Sequence, residues 1–330
     1  MSLISSKSSV NIACLLIVYK RFHAALEIVD LLRSFGIQRM YIAIDRAPKH
    51  EQSSQYLDDL ESFSQSLKAI SSTSEQIIYV WKRESNFGCA LSVVTACDWL
   101  FSFEEAGIVL EDDCLPQQAF IEFVERHRKT IETNPQIMML CGTQHATIHG
   151  EYPHEWVLSN YPFLWGWYTN REKWYRLRRS FQEPLRKLST RKITLTERFY
   201  WKSGSRRAIQ RFVDVWDTPM VANMIEHDEL AILPISNLVN NIGNDMYATN
   251  FSKPKNEEGT WKLSLDDVPS FSQITVVNES IRKNFFQIRK ALFLRNIFRQ
   301  IFDIFKTKRT TLDQALILPD FQIPLSRTLL

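Results

Sequence analysis

Glycine is scarce in this chain, at 9 of 330 residues, and none falls in the stretch YKRFHAALE behind the first apolar run. A glycine-rich pyrophosphate loop after a first strand is therefore excluded. Proline is also sparse at 12, and charged residues make up 23%, so the composition is that of a globular chain and not a low-complexity one. The five cysteines, Cys14, Cys89, Cys97, Cys114 and Cys141, are odd in number and show no CxxC spacing. That argues against a cysteine zinc site and a disulfide framework; most of the five lie in apolar stretches and read as core thiols, with a ligand or a nucleophile as the alternative. A reducing, cytoplasmic compartment is the expectation. MSLISSKSSVN lacks the apolar core of a signal peptide, and no run approaches the ~20 apolar residues of a membrane span. The net charge of +3 excludes a strongly one-signed chain, and no recognised nucleic-acid module is present.

What is present begins with alternating periods. IACLLIVY (12–19) is an unbroken apolar run, the mark of a strand buried on both faces. Phe22, Ala25, Leu26, Val29 and Leu32 then recur at helical spacing, with Gly36 as the stop. MYIAI (40–44), IIYVW (77–81), GIVL (107–110) and IMMLCGTQH (137–145) read as further strands. LDDLESFSQSL, ALSVVTACDWLFSF, AFIEFVERHRKTI and a segment around 194–215 read as helices. ELAILPISNLVNNIGND (229–245) reads as strand and loop. The fold class is α/β, a mostly parallel, Rossmann-like sheet flanked by helices. Ligands in such sheets bind outside the carboxyl ends of the strands. Those ends carry Tyr19-Lys20-Arg21, Asp45-Arg46, the stretch from Arg83 through Asn86 to Gly88, and Glu111-Asp112-Asp113.

Three adjacent acids at a strand end repel one another, and partial burial makes each costlier. A hard divalent ion, Mn²⁺ or Mg²⁺, would relieve them, since such ions are bound through one or two carboxylates plus substrate phosphates. The plainer reading is that one acid caps a turn and the others are solvated. YPFLWGWYTNREKW (161–174) is dense in aromatics, with Gly166 between Trp165 and Trp167. Gly166 suggests close approach of a ligand to the backbone, whereas Trp174 reads as core. Asp217, beside Trp216, is either a base raised by an apolar neighbour or the N-cap of a helix opening at Thr218-Pro219.

Taken in order, these pieces resemble the nucleotide-sugar glycosyltransferases of the GT-A fold. The chain looks most like the branch containing the N-acetylglucosaminyltransferase that initiates complex N-glycans, and its bacterial relatives. The resemblance runs through roughly residues 11–250. It implies that Tyr19 and Arg21 meet the nucleotide diphosphate, and that Asp45, Arg83, Asn86 and Gly88 form the nucleotide side. It also implies that Glu111 and Asp112 hold sugar or ribose and that Asp113 binds Mn²⁺ or Mg²⁺. Trp165, Gly166 and Trp216 would wall the donor-sugar and acceptor pocket, and Asp217 would be the base of an inverting transfer. Relatives often carry His where this chain has Asn250, and His145 is the nearest substitute. The donor implied is a nucleotide diphosphate sugar, with UDP favoured, and the acceptor a surface glycan or lipid-linked precursor. The rivals are a sugar nucleotidyltransferase, disfavoured by the missing glycine loop, and a silent nucleotide-sugar or carbohydrate binder.

Charge is uneven along the rest. Residues 171–211 hold 14 Lys/Arg against 3 Glu, which is either a solvated face or an attractor of an anionic acceptor. RKNFFQIRKALFLRNIFRQIFDIFKTKR (282–309) is basic and amphipathic, the pattern of a helix on a membrane surface or of one packed on the main domain. The expected layout is a short leader (1–10), one GT-A glycosyltransferase domain (11–255) and a C-terminal extension (256–330). The whole would be cytoplasmic, and peripheral on the inner membrane face if the tail binds lipid.

Overall fold

The computed structural model describes residues 10–144, 155–182, 193–211 and 214–243. The basic stretch 282–309, His145 and Asn250 lie outside the described residues. The first half alternates without exception: β1 (Val10–Val18), α1 (Phe22–Ser34), β2 (Ile37–Ile44), α2 (Ser54–Thr73), β3 (Ile77–Lys82), α3 (Gly88–Phe103), β4 (Ala106–Glu111). A short β5 (Cys114–Pro116) leads to α4 (Gln118–Thr133) and β6 (Ile137–Cys141). Then come β7 (Trp156–Ser159), β8 (Trp167–Asn170), α5 (Arg171–Arg178), α6 (Leu195–Ile209), α7 (Asp217–Glu226), β9 (Leu230–Pro234) and β10 (Val239–Asn241).

Eight strands form one sheet in the order β3-β2-β1-β4-β8-β6-β9-β7. Only β8 and β7 run against the rest, so six of the eight share a direction. This is a mixed α/β fold, a single main domain with a large, mostly parallel sheet flanked by helices. Strand period 2 deals the residues of β1 to two apolar layers. Ala13, Leu15 and Ile17 face a layer with α3, α5 and α7, while Ile12, Cys14, Leu16 and Val18 face α1, α2 and α4. Burial on both faces is why the run reads as continuously apolar, and each fully buried Leu there contributes roughly 1.5–3 kcal/mol. Cys14, Cys97, Cys114 and Cys141 are buried free thiols, as expected, and Cys89 is half-buried.

Two features were not legible. The aromatic segment contributes β8, a central strand, with Trp167 paired to Val109 on one side and Cys141 on the other. Trp167 and Trp174 are interior, so much of the aromatic density is core. The helix expected over 194–215 closes at Ile209, and Arg211 adopts a left-handed backbone with φ 57°. A separate helix, α7, then opens at Asp217. Among the described residues no helix is long and apolar enough to cross a membrane.

Candidate active site

The chain steps from β1 to β2 to β3 in one direction, then returns to place β4 on the other side of β1. Where strand order reverses, the flanking loops diverge and leave a crevice at the carboxyl ends. Ile17 pairs with Glu111 in the parallel register of β1 and β4, so both strands end at the same level. Tyr19, Lys20 and Arg21 therefore stand beside Glu111, Asp112 and Asp113.

Asp112 is the fixed point between them. Its Oδ2 accepts the backbone N–H of Tyr19 at 2.8 Å and of Arg21 at 3.3 Å, and its Oδ1 accepts Arg21 Nη1 at 3.2 Å. Arg21 Nη2 donates to the Gly243 carbonyl at 3.3 Å, and Nη1 stands 3.9 Å from Asp113 Oδ2. One guanidinium thus ties the β1 turn, the acidic strand end and the loop after β10. That loop is held from beneath by the pairing of β10 with β5, in which Asn241 lies opposite Cys114. Ile242 N–H donates to the Asp113 carbonyl at 2.8 Å, and Asn241 Oδ1 accepts Gly243 N–H at 2.9 Å. A Cβ at Gly243 would meet Asp113 Oδ2 at 2.2 Å, so this glycine is required by close approach.

Arg21 leaves the negative charge only partly matched. Burial is the largest effect on Glu111 and pushes its carboxyl well up; Asp113, Asp112 and Asp217 push it further, and Arg21 opposes them. Burial likewise raises Asp112, against the pull of the Tyr19 N–H and of Arg21. Asp113 is the more accessible carboxylate, with 24% of its side chain exposed against 6% for Asp112. Asp112 is spent on Arg21 and two backbone donors; Asp113 has its Oδ1 near the Cys114 thiol at 3.3 Å and Oδ2 turned to the crevice loop.

The other flank is built on Asp45, buried at the end of β2. Its Oδ1 accepts Phe87 N–H at 2.9 Å, and Asn86 Nδ2 donates to Oδ2 at 3.3 Å and to the Arg46 carbonyl at 2.7 Å. Burial carries the Asp45 carboxyl up to about 6, despite Arg83 3.7 Å away. Arg83 itself is turned inward. It bonds the Ser92 hydroxyl and carbonyl and Thr95 Oγ1, and its guanidinium lies 4.5 Å from the ring centroids of Trp81 and Phe87. Burial brings it down to about 10. Asp45 and Arg83 therefore brace the turn that carries Asn86 and Gly88, and the Arg83 side chain does not reach the crevice.

Asp217 occupies the first position of α7, where the helix dipole favours an anion. The capping position belongs to Trp216, which makes no side-chain cap bond. Thr218 Oγ1 donates to Asp217 Oδ1 at 3.1 Å. Trp216 stacks on Trp167 at 5.9 Å and 28°, which fixes the start of α7 against the central strand. Trp165 is half-buried. Gly166 has φ 69°, and the space a Cβ would need is already filled by Val239 at 2.8 Å and Leu110 at 3.1 Å. The close approach at this glycine is made by those side chains of the protein.

Two participants escaped the sequence. Gly243 was one of several residues in an Asn-rich loop, and nothing local marks its proximity to Asp113. Asp214 was the other: its carboxylate accepts Cys89 N–H and Ala90 N–H, each at 2.8 Å, at the opening of α3. No protein-family model and no curated protein matches the chain. Among solved structures, the crystal structure of HddC from Yersinia pseudotuberculosis aligns over 56% of this chain and 85% of its own, at 10% identity and a TM-score of 0.31. A likeness of that degree bears on neither the fold assignment nor the chemistry.

Proposed function

We propose that the protein is a divalent-metal-assisted glycosyltransferase of the GT-A kind, moving a sugar from a nucleotide diphosphate donor, UDP favoured, to a glycan or lipid-linked acceptor. The observation that carries this reading is the Arg21–Asp112–Gly243 tie, which sets a partly exposed Asp113 beside a half-buried Glu111 at the switch point of the sheet. Asp112 and Asp113 face one guanidinium, and a Mn²⁺ or Mg²⁺ ion held by one carboxylate with donor phosphates and water would offset the remaining charge. The ion would offset charge gathering on the departing diphosphate.

In this reading Asp113 is the metal ligand, and Glu111 accepts from the donor's sugar or ribose hydroxyls. Arg21, released from one of its present partners, faces the diphosphate. Asn86, held by Asp45, lies on the nucleotide side. Asp217 takes the proton of the acceptor hydroxyl as that oxygen bonds the anomeric carbon and the bond to the diphosphate breaks. A single base on the acceptor side gives inversion. Trp216 and Trp167 keep the base backed by apolar surface.

The test is a thermal-shift panel of nucleoside diphosphates and nucleotide sugars with Mn²⁺ or EDTA. A ligand at ~100 times its dissociation constant adds roughly 2.7 kcal/mol. Stabilisation by one nucleotide, only with metal and lost in Asp113→Ala, is expected. Asp217→Asn should keep that binding and lose transfer. If no nucleotide stabilises the protein with metal, or if Asp217→Asn transfers sugar at the wild-type rate, the reading is wrong.

A further inference from the structure

We infer that Asp214 is a positioning residue for Asp217, a latch that ties the start of α7 to the start of α3. This rests on the reading of Asp217 as the base. α3 is a 16-residue helix, and its opening N–H groups lack intrahelical partners. Such groups ordinarily find a local side chain, yet the position before α3 is Phe87, with no side-chain cap bond. The acceptor comes instead from a residue 125 positions away in sequence from Cys89. Asp214 places one oxygen on each of two successive N–H groups, both at 2.8 Å. This bidentate bond fixes direction as well as distance.

Gly88 completes the fit. Its backbone is left-handed at φ 76°, and a Cβ there would stand 2.5 Å from Asp214 Oδ2. The glycine is therefore needed both for the turn and for the seat of Asp214. Three residues on from Asp214, the chain enters α7 at Asp217, with Trp216 stacked on Trp167 in between. The segment Asp214–Asp217 is thus pinned at two points, one on α3 and one on β8. Asp45 pins the residues just before α3 through Phe87 N–H and Asn86. The nucleotide side and the base side of the crevice are consequently registered against the same helix end. Asp214 is exposed, and its two bonds join segments far apart in sequence, which is the arrangement a placing contact requires. Displacement of a reacting group by about 1 Å costs on the order of 100-fold in rate.

The experiment compares wild type, Asp214→Ala, Asp214→Asn and Gly88→Ala by three readouts: metal-dependent nucleotide binding, kcat with acceptor saturating, and hydrogen exchange across 86–91 and 214–226. Asp214→Ala should lower kcat tenfold or more, with a smaller loss of nucleotide affinity because Asp45 still holds Asn86 and Phe87, and both segments should lose protection together. Asp214→Asn, which retains an acceptor oxygen, should recover part of kcat. Gly88→Ala should show the same joint loss of protection with aspartate still present. A cap of purely structural kind would lower melting temperature and leave kcat per folded molecule unchanged, which would overturn the inference. Loss of protection at 86–91 alone, with 214–226 unaffected, would overturn it as well. Absence of transfer in the wild type would instead refute the proposed function, and hydrogen exchange would still decide whether the two segments are latched.

Discussion

Gly243→Ala acts on the proposed metal ligand directly, and Arg21, which donates to the Gly243 carbonyl, is also within its reach. Gly243 is not among the glycines with a left-handed backbone, so an alanine is strained only through space. The new Cβ would lie 2.2 Å from Asp113 Oδ2 and 3.0 Å from its Cβ and Cγ, with the first about 1.2 Å short of ordinary contact at 3.4 Å. The Asp113 backbone cannot retreat freely, because its carbonyl accepts Ile242 N–H and the β5–β10 pairing fixes both chains. The carboxylate must rotate. Metal–oxygen distances tolerate about 0.2 Å, so a displacement several times larger takes Asp113 out of the coordination shell. Metal-dependent nucleotide affinity should fall about 10–100-fold, or roughly 1.4–2.7 kcal/mol. Overpacking should cost the fold only about 1–3 kcal/mol. Isothermal titration of the nucleoside diphosphate with Mn²⁺ and with EDTA reads the first quantity, and urea unfolding the second. Wild-type, metal-dependent affinity in both Gly243→Ala and Asp113→Ala would refute the assignment of Asp113, because in the second variant no carboxylate remains at that position.

Two further outcomes depend on charge. Arg21→Ala removes the guanidinium from buried Asp112 and should destabilise the fold by about 3 kcal/mol at pH 7.5. Glu111 and Asp112 already have raised carboxyls, and stability tied to such groups is present at low pH and lost as pH rises through their folded values. The deficit of Arg21→Ala should therefore narrow at pH 5; an equal deficit at both pH values in urea unfolding would contradict the electrostatic account. Asp45, at about 6 in the fold against 3.8, should make wild type gain roughly 2.4 kcal/mol over Asp45→Asn as pH falls from 7 to 4. A flat difference across that window would show that Asp45 is not the buried titrating group.

The early half of the fold was legible because its strands are short apolar runs and α1 and α2 bury residues at helical spacing, whereas α3 is buried all round. The later half was not, and β8 shows why: Gly166 interrupts the aromatic run, and its use as a central strand depends on Val109 and Cys141 lying on either side. Glu111-Asp112-Asp113 and Arg21, singled out in the sequence because charge crowded at the end of a buried strand is costly, are brought together in the structure, and Asn86 rests on Asp45 at the end of β2. Arg83 read as a crevice residue on the same grounds, but whether a cation faces in or out is decided by Ser92 and Thr95 on α3. Asp214 and Gly243 carry no local signal at all.

Sequence by itself determined the alternation of β1 through β4, the polarity of their carboxyl ends and the crowding of three acids at one of those ends. These follow from nearest-neighbour chemistry: apolar periodicity sets the element, and charge marks where burial stops. Only the tertiary structure decided which acid is tied and which is more accessible, that Ile242 and Gly243 stand against Asp113, and that Asp214 reaches back to α3. Each of these depends on contacts between residues roughly 90 to 130 positions apart, whose distance is fixed by the packing of whole elements and is not encoded in any short stretch.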